Sequence, residues 1–148
     1  VIGSGVKRIP DYAFNSCRLL EEVVIKEGLE GVGVLAFRYC DSLKQVILPD
    51  SVRMIDESAF YECRGLTRIT IPNSVTNIGS YAFFKCSSLS RITIGKGVKR
   101  IEAHAFAESI LATVIFNGTK EEWNAISKGD YWNSYTGDYT ITYNYTGE

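Results

Sequence analysis

An Ala-Phe pair recurs at Ala13-Phe14, Ala36-Phe37, Ala59-Phe60, Ala82-Phe83 and Ala105-Phe106, and every interval is 23 residues. Cysteine keeps the same clock at Cys17, Cys40, Cys63 and Cys86, as does leucine at Leu20, Leu43, Leu66 and Leu89. The fifth unit loses one residue, so that Leu111, Val114 and Phe116 take the places of Leu89, Ile92 and Ile94. A fixed period of this length marks a repeat architecture. No single unit can bury its apolar face alone, whereas stacked units bury a continuous one, which is the logic of a solenoid.

The unit reads V-x-x-I-x-x-x-A-F-x-x-C-x-x-L-x-x-I-x-I, and its parts have different periods. Phe83, Cys86 and Leu89 are spaced three and three, which suits one face of a short helical turn. Ile92 and Ile94 alternate with Arg91 and Thr93, which suits a half-buried strand. Val75 and Ile78, followed by Gly79, predict a second short extended piece ending in a turn.

With 148 residues, 45% hydrophobic content and a formal charge of -1, the chain is long enough for one domain with a real core. It has no polybasic or polyacidic bias to point to nucleic acid. No apolar run approaches the roughly 20 residues that span a bilayer, and no secretory leader is visible. The opening "VIGSGVKRIPDYAF" already reads as the middle of the pattern, an expectation that the chain is cut from something longer.

The L-x-x-I-x-I strand inside a 23-residue unit with A-F-x-x-C resembles the leucine-rich repeats of the BspA-like surface proteins of host-associated microbes, over residues 6 to about 116. The resemblance implies an α/β solenoid: a right-handed leucine-rich repeat superhelix of mostly short β-strands with a helical turn per repeat, closed by a C-terminal helix-plus-strand cap. Residues 1–116 would hold five repeats of about 23 residues, and 117–148 the cap. One departure stands out: the asparagine expected three residues after the last aliphatic of the strand is Gly28, Ser51, Ser74 or Gly97. Backbone groups at that corner must find other partners.

Four cysteines allow three disulfide connectivities. Successive coils would lie about 4.8 Å apart, with parallel beta carbons near 5 Å, beyond the usual 3.5–4.5 Å of a bridge. One inward thiol per coil makes a row, not the tetrahedron a metal wants, and the only histidine, His104, lies in another column. The thiols are expected to be buried, reduced and packed as small hydrophobes; no metal or cofactor is expected.

Residues between the inward aliphatics of the strand form columns across the coils on the expected concave face. One column reads Glu22, Gln45, Arg68, Arg91, Thr113, and its neighbour Val24, Ile47, Thr70, Thr93, Ile115. Arg68 and Arg91 would lie one strand spacing apart, an arrangement mildly destabilising unless something anionic sits between them. With Thr70 and Thr93 alongside they suit an acidic side chain or another oxyanion; a solvated face with splayed arginines is the plainer alternative. Val24 and Ile47 form a small apolar strip that is either a contact surface or merely strand-forming. Gln45, Arg68, Arg91, Thr70, Thr93, Val24 and Ile47 are thus the candidate partner-binding residues. Tyr61 and Tyr81 lie at loop or convex positions, where scattered aromatics are ordinary.

After Phe116 the clock stops, and both tryptophans and five of the nine tyrosines follow. Thr119 with Glu122 three residues on is a capping box, which predicts a helix from Lys120 to about Lys128 ending at Gly129, with Trp123 and Ile126 covering the last coil. Tyr139, Ile141, Tyr143 and Tyr145 alternate with polar residues as a strand would. This ending is similar to the C-terminal caps of BspA-like repeats. Trp132, Tyr131 and Tyr135 allow a second reading, carbohydrate stacking. Asn117-Gly118-Thr119 and Asn144-Tyr145-Thr146 are glycosylation sequons, relevant only in a eukaryotic secretory pathway.

The sequence has no G-x-S-x-G elbow, H-E-x-x-H, phosphate loop or second histidine, so the expected function is not enzymatic. The resemblance implies a non-catalytic extracellular or cell-surface adhesion module, presenting its concave sheet to a protein partner such as host extracellular matrix or another cell surface, with no nucleic acid and no membrane insertion within this segment. A stalk or spacer displaying another domain, and carbohydrate recognition through the aromatic cap, are the alternatives.

Overall fold

The computed structural model describes residues 1–144. The chain winds into a parallel β-solenoid in which each coil contributes one short strand to each of two sides. On one side a continuous six-stranded sheet runs β1 (Arg8–Ile9), β3 (Gly31–Val32), β5 (Met54–Ile55), β7 (Asn77–Ile78), β9 (Arg100–Ile101) and β11 (Ser127–Lys128). On the other lie β2 (Glu22–Val24), β4 (Gln45–Ile47), β6 (Arg68–Ile71), β8 (Arg91–Ile94), β10 (Thr113–Phe116) and β12 (Thr140–Tyr143). All pairs are parallel, and partners such as Ile69 and Ile92 or Ile55 and Ile78 stand in the register the repeat dictates. The second side is interrupted: β2 pairs with β4 on one edge and meets Ile2 on the other through a single bridge at Ile25, the residue that follows it, and β6 begins a separate ladder through β8 and β10 to β12.

Between the two sides lies the core. Phe37, Phe60, Phe83 and Phe106 are fully buried. With Phe14 they form one stack, with centroids 5.1 to 5.2 Å apart and rings within 6° of parallel, a separation that matches offset stacking.

The segment expected to make a helical turn in each coil is a chain of linked β-turns. In the fourth coil the amides of Ala82, Phe84 and Cys86 donate to carbonyls three residues back, whereas those of Tyr81, Phe83 and Lys85 donate to Ala103, Ala105 and Ala107 of the next coil. A helix would consume all these amides internally; linked turns leave half of them to hold the stack. The alternation requires left-handed residues at Tyr81 (φ 57) and Lys85 (φ 55), and every other coil has the same pair four residues apart. The three-residue spacing still points inward, since Phe83, Cys86 and Leu89 are all buried.

All four cysteines are free. Cys40, Cys63 and Cys86 are buried as expected, and each thiol donates to a phenylalanine carbonyl of the preceding coil: Phe14 at 3.2 Å, Phe37 at 3.0 Å and Phe60 at 3.1 Å. Ser109, 23 residues after Cys86, makes the same bond to Phe83 at 3.2 Å. The thiol is therefore a donor in a ladder as well as a space-filler. Burial pushes the Cys40 and Cys86 thiols up to about 12 and Cys63 well above its ordinary range. Cys17, in the first coil described, differs from expectation and is exposed.

At the corner where asparagine was expected, serine substitutes. Ser51 Oγ accepts from the Gly28 amide and Ser74 Oγ donates to the Val52 carbonyl. Gly97 occupies the equivalent place, and a β-carbon there would lie 1.9 Å from the Asn73 carbonyl oxygen, so that coil has no room for a side chain.

Thr119 and Glu122 close the predicted capping box reciprocally, at 2.8 and 3.1 Å. The helix α1 (Lys120–Ala125) is shorter than expected. Ile126 is already extended, and Ser127 and Lys128 pair with Arg100 and Ile101, which continues the six-stranded sheet instead of prolonging the helix. The Lys128 ammonium folds back on the carbonyls of Trp123 and Ile126 at 2.7 and 3.3 Å, and burial lowers its pKa. Coil geometry then resumes with left-handed Tyr131 and Tyr135. The Trp132 carbonyl receives the Phe106 amide as the Ala105 carbonyl receives that of Phe83, which puts an indole in the alanine column. Its ring meets Phe106 and Trp123 edge-on at 6.4 and 5.9 Å, and Trp123 and Ile126 are buried beside it. The predicted terminal strand forms as β12, paired with β10; Tyr145, and with it part of the second sequon, lies outside the described residues.

Candidate binding face

The outward side of β2, β4, β6, β8, β10 and β12 carries the two columns read from the sequence. In β6 and β8 the motif Arg-Ile-Thr-Ile alternates strictly, with isoleucines buried and Arg68 and Arg91 exposed. The two arginines are direct register partners, as are Thr70 and Thr93. Neither guanidinium is paired with a carboxylate among the described residues; Arg68 Nη2 reaches Gln45 Oε1 at 3.2 Å. Glu22 stands in register with Gln45 at the far end of the same column.

In the neighbouring column Val24 is 41% and Ile47 58% exposed, high values for branched aliphatics in the middle of a protein face. The structure gathers Gln45, Ile47, Arg68 and Thr70 around a shallow depression, floored by Val46 and Ile69, at the place where β4 and β6 fail to pair. Val24, Arg91 and Thr93 lie on the same face outside that depression. The break in the ladder is a feature sequence reasoning missed, because Val46 and Ile69 alternate as regularly as any other pair.

A second missed feature lies on the linked turns. Tyr81, His104 and Tyr131 stack with centroids 4.8 and 5.4 Å apart. Phe84 meets Tyr81 and His104 edge-on and stacks with Tyr61 at 5.2 Å. Tyr61 then meets Tyr39, with the Arg38 guanidinium 4.3 Å from the Tyr39 ring centroid. What looked like scattered aromatics is one contiguous ladder. The 23-residue clock already set Tyr81 with His104 and Tyr61 with Phe84, and that was the available signal. His104 is a stacking element here, its faces taken by two tyrosines. Tyr131 and Tyr135 are exposed, while Trp132 is half-buried against the core.

The profile of the BspA type leucine rich repeat region matches six copies over residues 7–132. The chain belongs to that family. Among solved structures, this BspA-type chain is similar to a leucine rich cell surface protein from Faecalibacterium prausnitzii A2-165, with 27% identity and a TM-score of 0.78 over 97% of this chain and 38% of that one. It is also similar to a Treponema leucine rich repeat protein, from T. pallidum, at 25% identity and a TM-score of 0.58, over 82% of this chain and 66% of the other. The pneumococcal vaccine antigen PcpA shares the fold at 21% identity and a TM-score of 0.74, over 95% and 40% of the respective chains. The chain therefore spans well under half the length of the first of these. No curated protein matches it.

Proposed function

We propose that this BspA-type segment is a non-catalytic module that engages a protein partner at the cell surface through the face of β2, β4, β6 and β8. The observation that carries the reading is the juxtaposition on one side of the solenoid of an exposed aliphatic strip, Val24 and Ile47 on β2 and β4, with two in-register arginines on β6 and β8 that have no acidic partner among the described residues. Both features cost something in an isolated protein, and a complementary surface removes both costs. A rigid scaffold also spares the ordering entropy that flexible surfaces lose on binding. The likeness to a cell surface protein supports the location.

The test is binding of the 148-residue chain to immobilised extracellular-matrix proteins and to intact cells. The wild type should bind at least one of these surfaces, and Ile47→Glu with Arg68→Glu should abolish it. Binding that survives both changes would move the site off this face.

A further inference from the structure

We propose that this strand face accepts an extended segment of a protein partner in which a carboxylate stands four residues from a branched apolar side chain. The inference rests on the strand-face reading above and specifies the partner. Paired strands lie about 4.8 Å apart and residues i and i+2 of one strand about 6.7 Å apart; with the unpaired β4 and β6 no closer than that, the midpoint of Arg68 and Arg91 lies at least about 12 Å from that of Val24 and Ile47. An extended chain advancing about 3.3 Å per residue covers about 13 Å in four residues, and because its side chains alternate between faces this even spacing turns both toward the sheet. A helix rising about 1.5 Å per residue would need about eight and would turn its side chains away in between.

Charge sets the polarity of the segment. The column that holds Arg68 and Arg91 has Glu22 at its other end, with neutral Gln45 between. A carboxylate is attracted to the arginine end and repelled at the Glu22 end, so the acidic residue lies over β6 and β8 and the apolar one over β2 and β4. The interrupted ladder between β4 and β6 provides the seat: the facing backbone edges make no ladder bonds to each other, and Ile47 and Arg68 flank the depression between them. Among the described residues the Arg68 guanidinium donates to Gln45 Oε1 alone and can turn toward an arriving carboxylate, which a guanidinium grips in bidentate fashion.

A random twelve-residue peptide library displayed on phage, selected on the immobilised chain, tests this. Two variants serve as controls, Arg68→Gln with Arg91→Gln, and Val24→Ser with Ile47→Ser; all four side chains are exposed, so both should fold. The expected result is enrichment of Asp or Glu four residues from Val, Ile or Leu, with affinity at least tenfold weaker for each variant. Peptides sensitive to the aliphatic variant alone would keep the strand-face reading and overturn the carboxylate segment. Arginine-dependent retention on immobilised heparin without acidic peptides would identify an anionic polysaccharide and overturn it too. Absence of enrichment, or peptides indifferent to both variants, overturns the inference whatever the matrix-protein assay returns.

Discussion

The thiol of Cys63 donates to the carbonyl of Phe37, 26 residues back, at 3.0 Å. That carbonyl also accepts the Cys40 amide, so both of its lone pairs are used in the buried core.

If the bond matters as well as the volume, Cys63→Ser should be tolerated better than Cys63→Ala, because the hydroxyl keeps the donor, as Ser109 does in the fifth coil. We expect the serine variant to lose less than about 1 kcal/mol and the alanine variant about 1–2 kcal/mol. Urea unfolding midpoints measure this. A purely hydrophobic thiol would give the reverse order, since burying a hydroxyl costs more than burying a methyl.

Lys85 sits at φ 55 in the linked turns. Lys85→Gly should therefore be more stable than Lys85→Ala, by about 1 kcal/mol, because left-handed backbone penalises any residue with a β-carbon. Both variants lose the same exposed pairing with Glu108, so the difference isolates the backbone. In a helical turn alanine would win by about 0.8–1.0 kcal/mol.

The raised thiols make an alkaline signature. A thiol whose folded pKa is pushed to about 12 from 9.0 favours the folded state wherever it stays protonated. Its contribution is complete below pH 9 and is lost as pH climbs from 9 toward 12, by at most about 1.4 kcal/mol per unit for each buried thiol. Stability measured against pH should fall more steeply in this window for the wild type than for Cys40→Ser, Cys63→Ser, Cys86→Ser combined. Equal slopes would mean the thiols are not buried together.

Arg91→Gln should raise stability slightly, by up to about 0.5 kcal/mol, because it removes a like charge directly opposite Arg68, and should weaken partner binding in the same protein. Thermal unfolding and the matrix-protein assay together check it. A variant that loses stability and keeps binding would assign Arg91 a structural role.

Much of this architecture was legible in the period alone. A 23-residue interval places Phe37, Phe60 and Phe83 in one column, and alternation around Ile92 fixes which side of a strand faces the core. Local turn geometry was not legible: a spacing of three is shared by helical turns and linked β-turns, and left-handed positions held by Tyr81 and Lys85 lack the glycine that usually announces them. The last coil was hidden because the insertion of α1 stretches its interval to 27 residues, as the pairing of Thr113 with Thr140 shows, and because Trp132 stands where alanine was the marker. On the candidate face both columns were readable, whereas the gap between β4 and β6 depends on how the backbones diverge, which alternation does not encode.

The coils stack so that three thiols, Cys40, Cys63 and Cys86, are sealed between neighbours while Cys17 is exposed. Thiol titration of the unreduced protein with a chromogenic disulfide reagent tests this most directly. In native buffer one thiol, Cys17, should react rapidly while Cys40, Cys63 and Cys86 stay protected, and all four should react in denaturant. Fewer than four in denaturant, or rapid reaction of several thiols in the native protein, would contradict it.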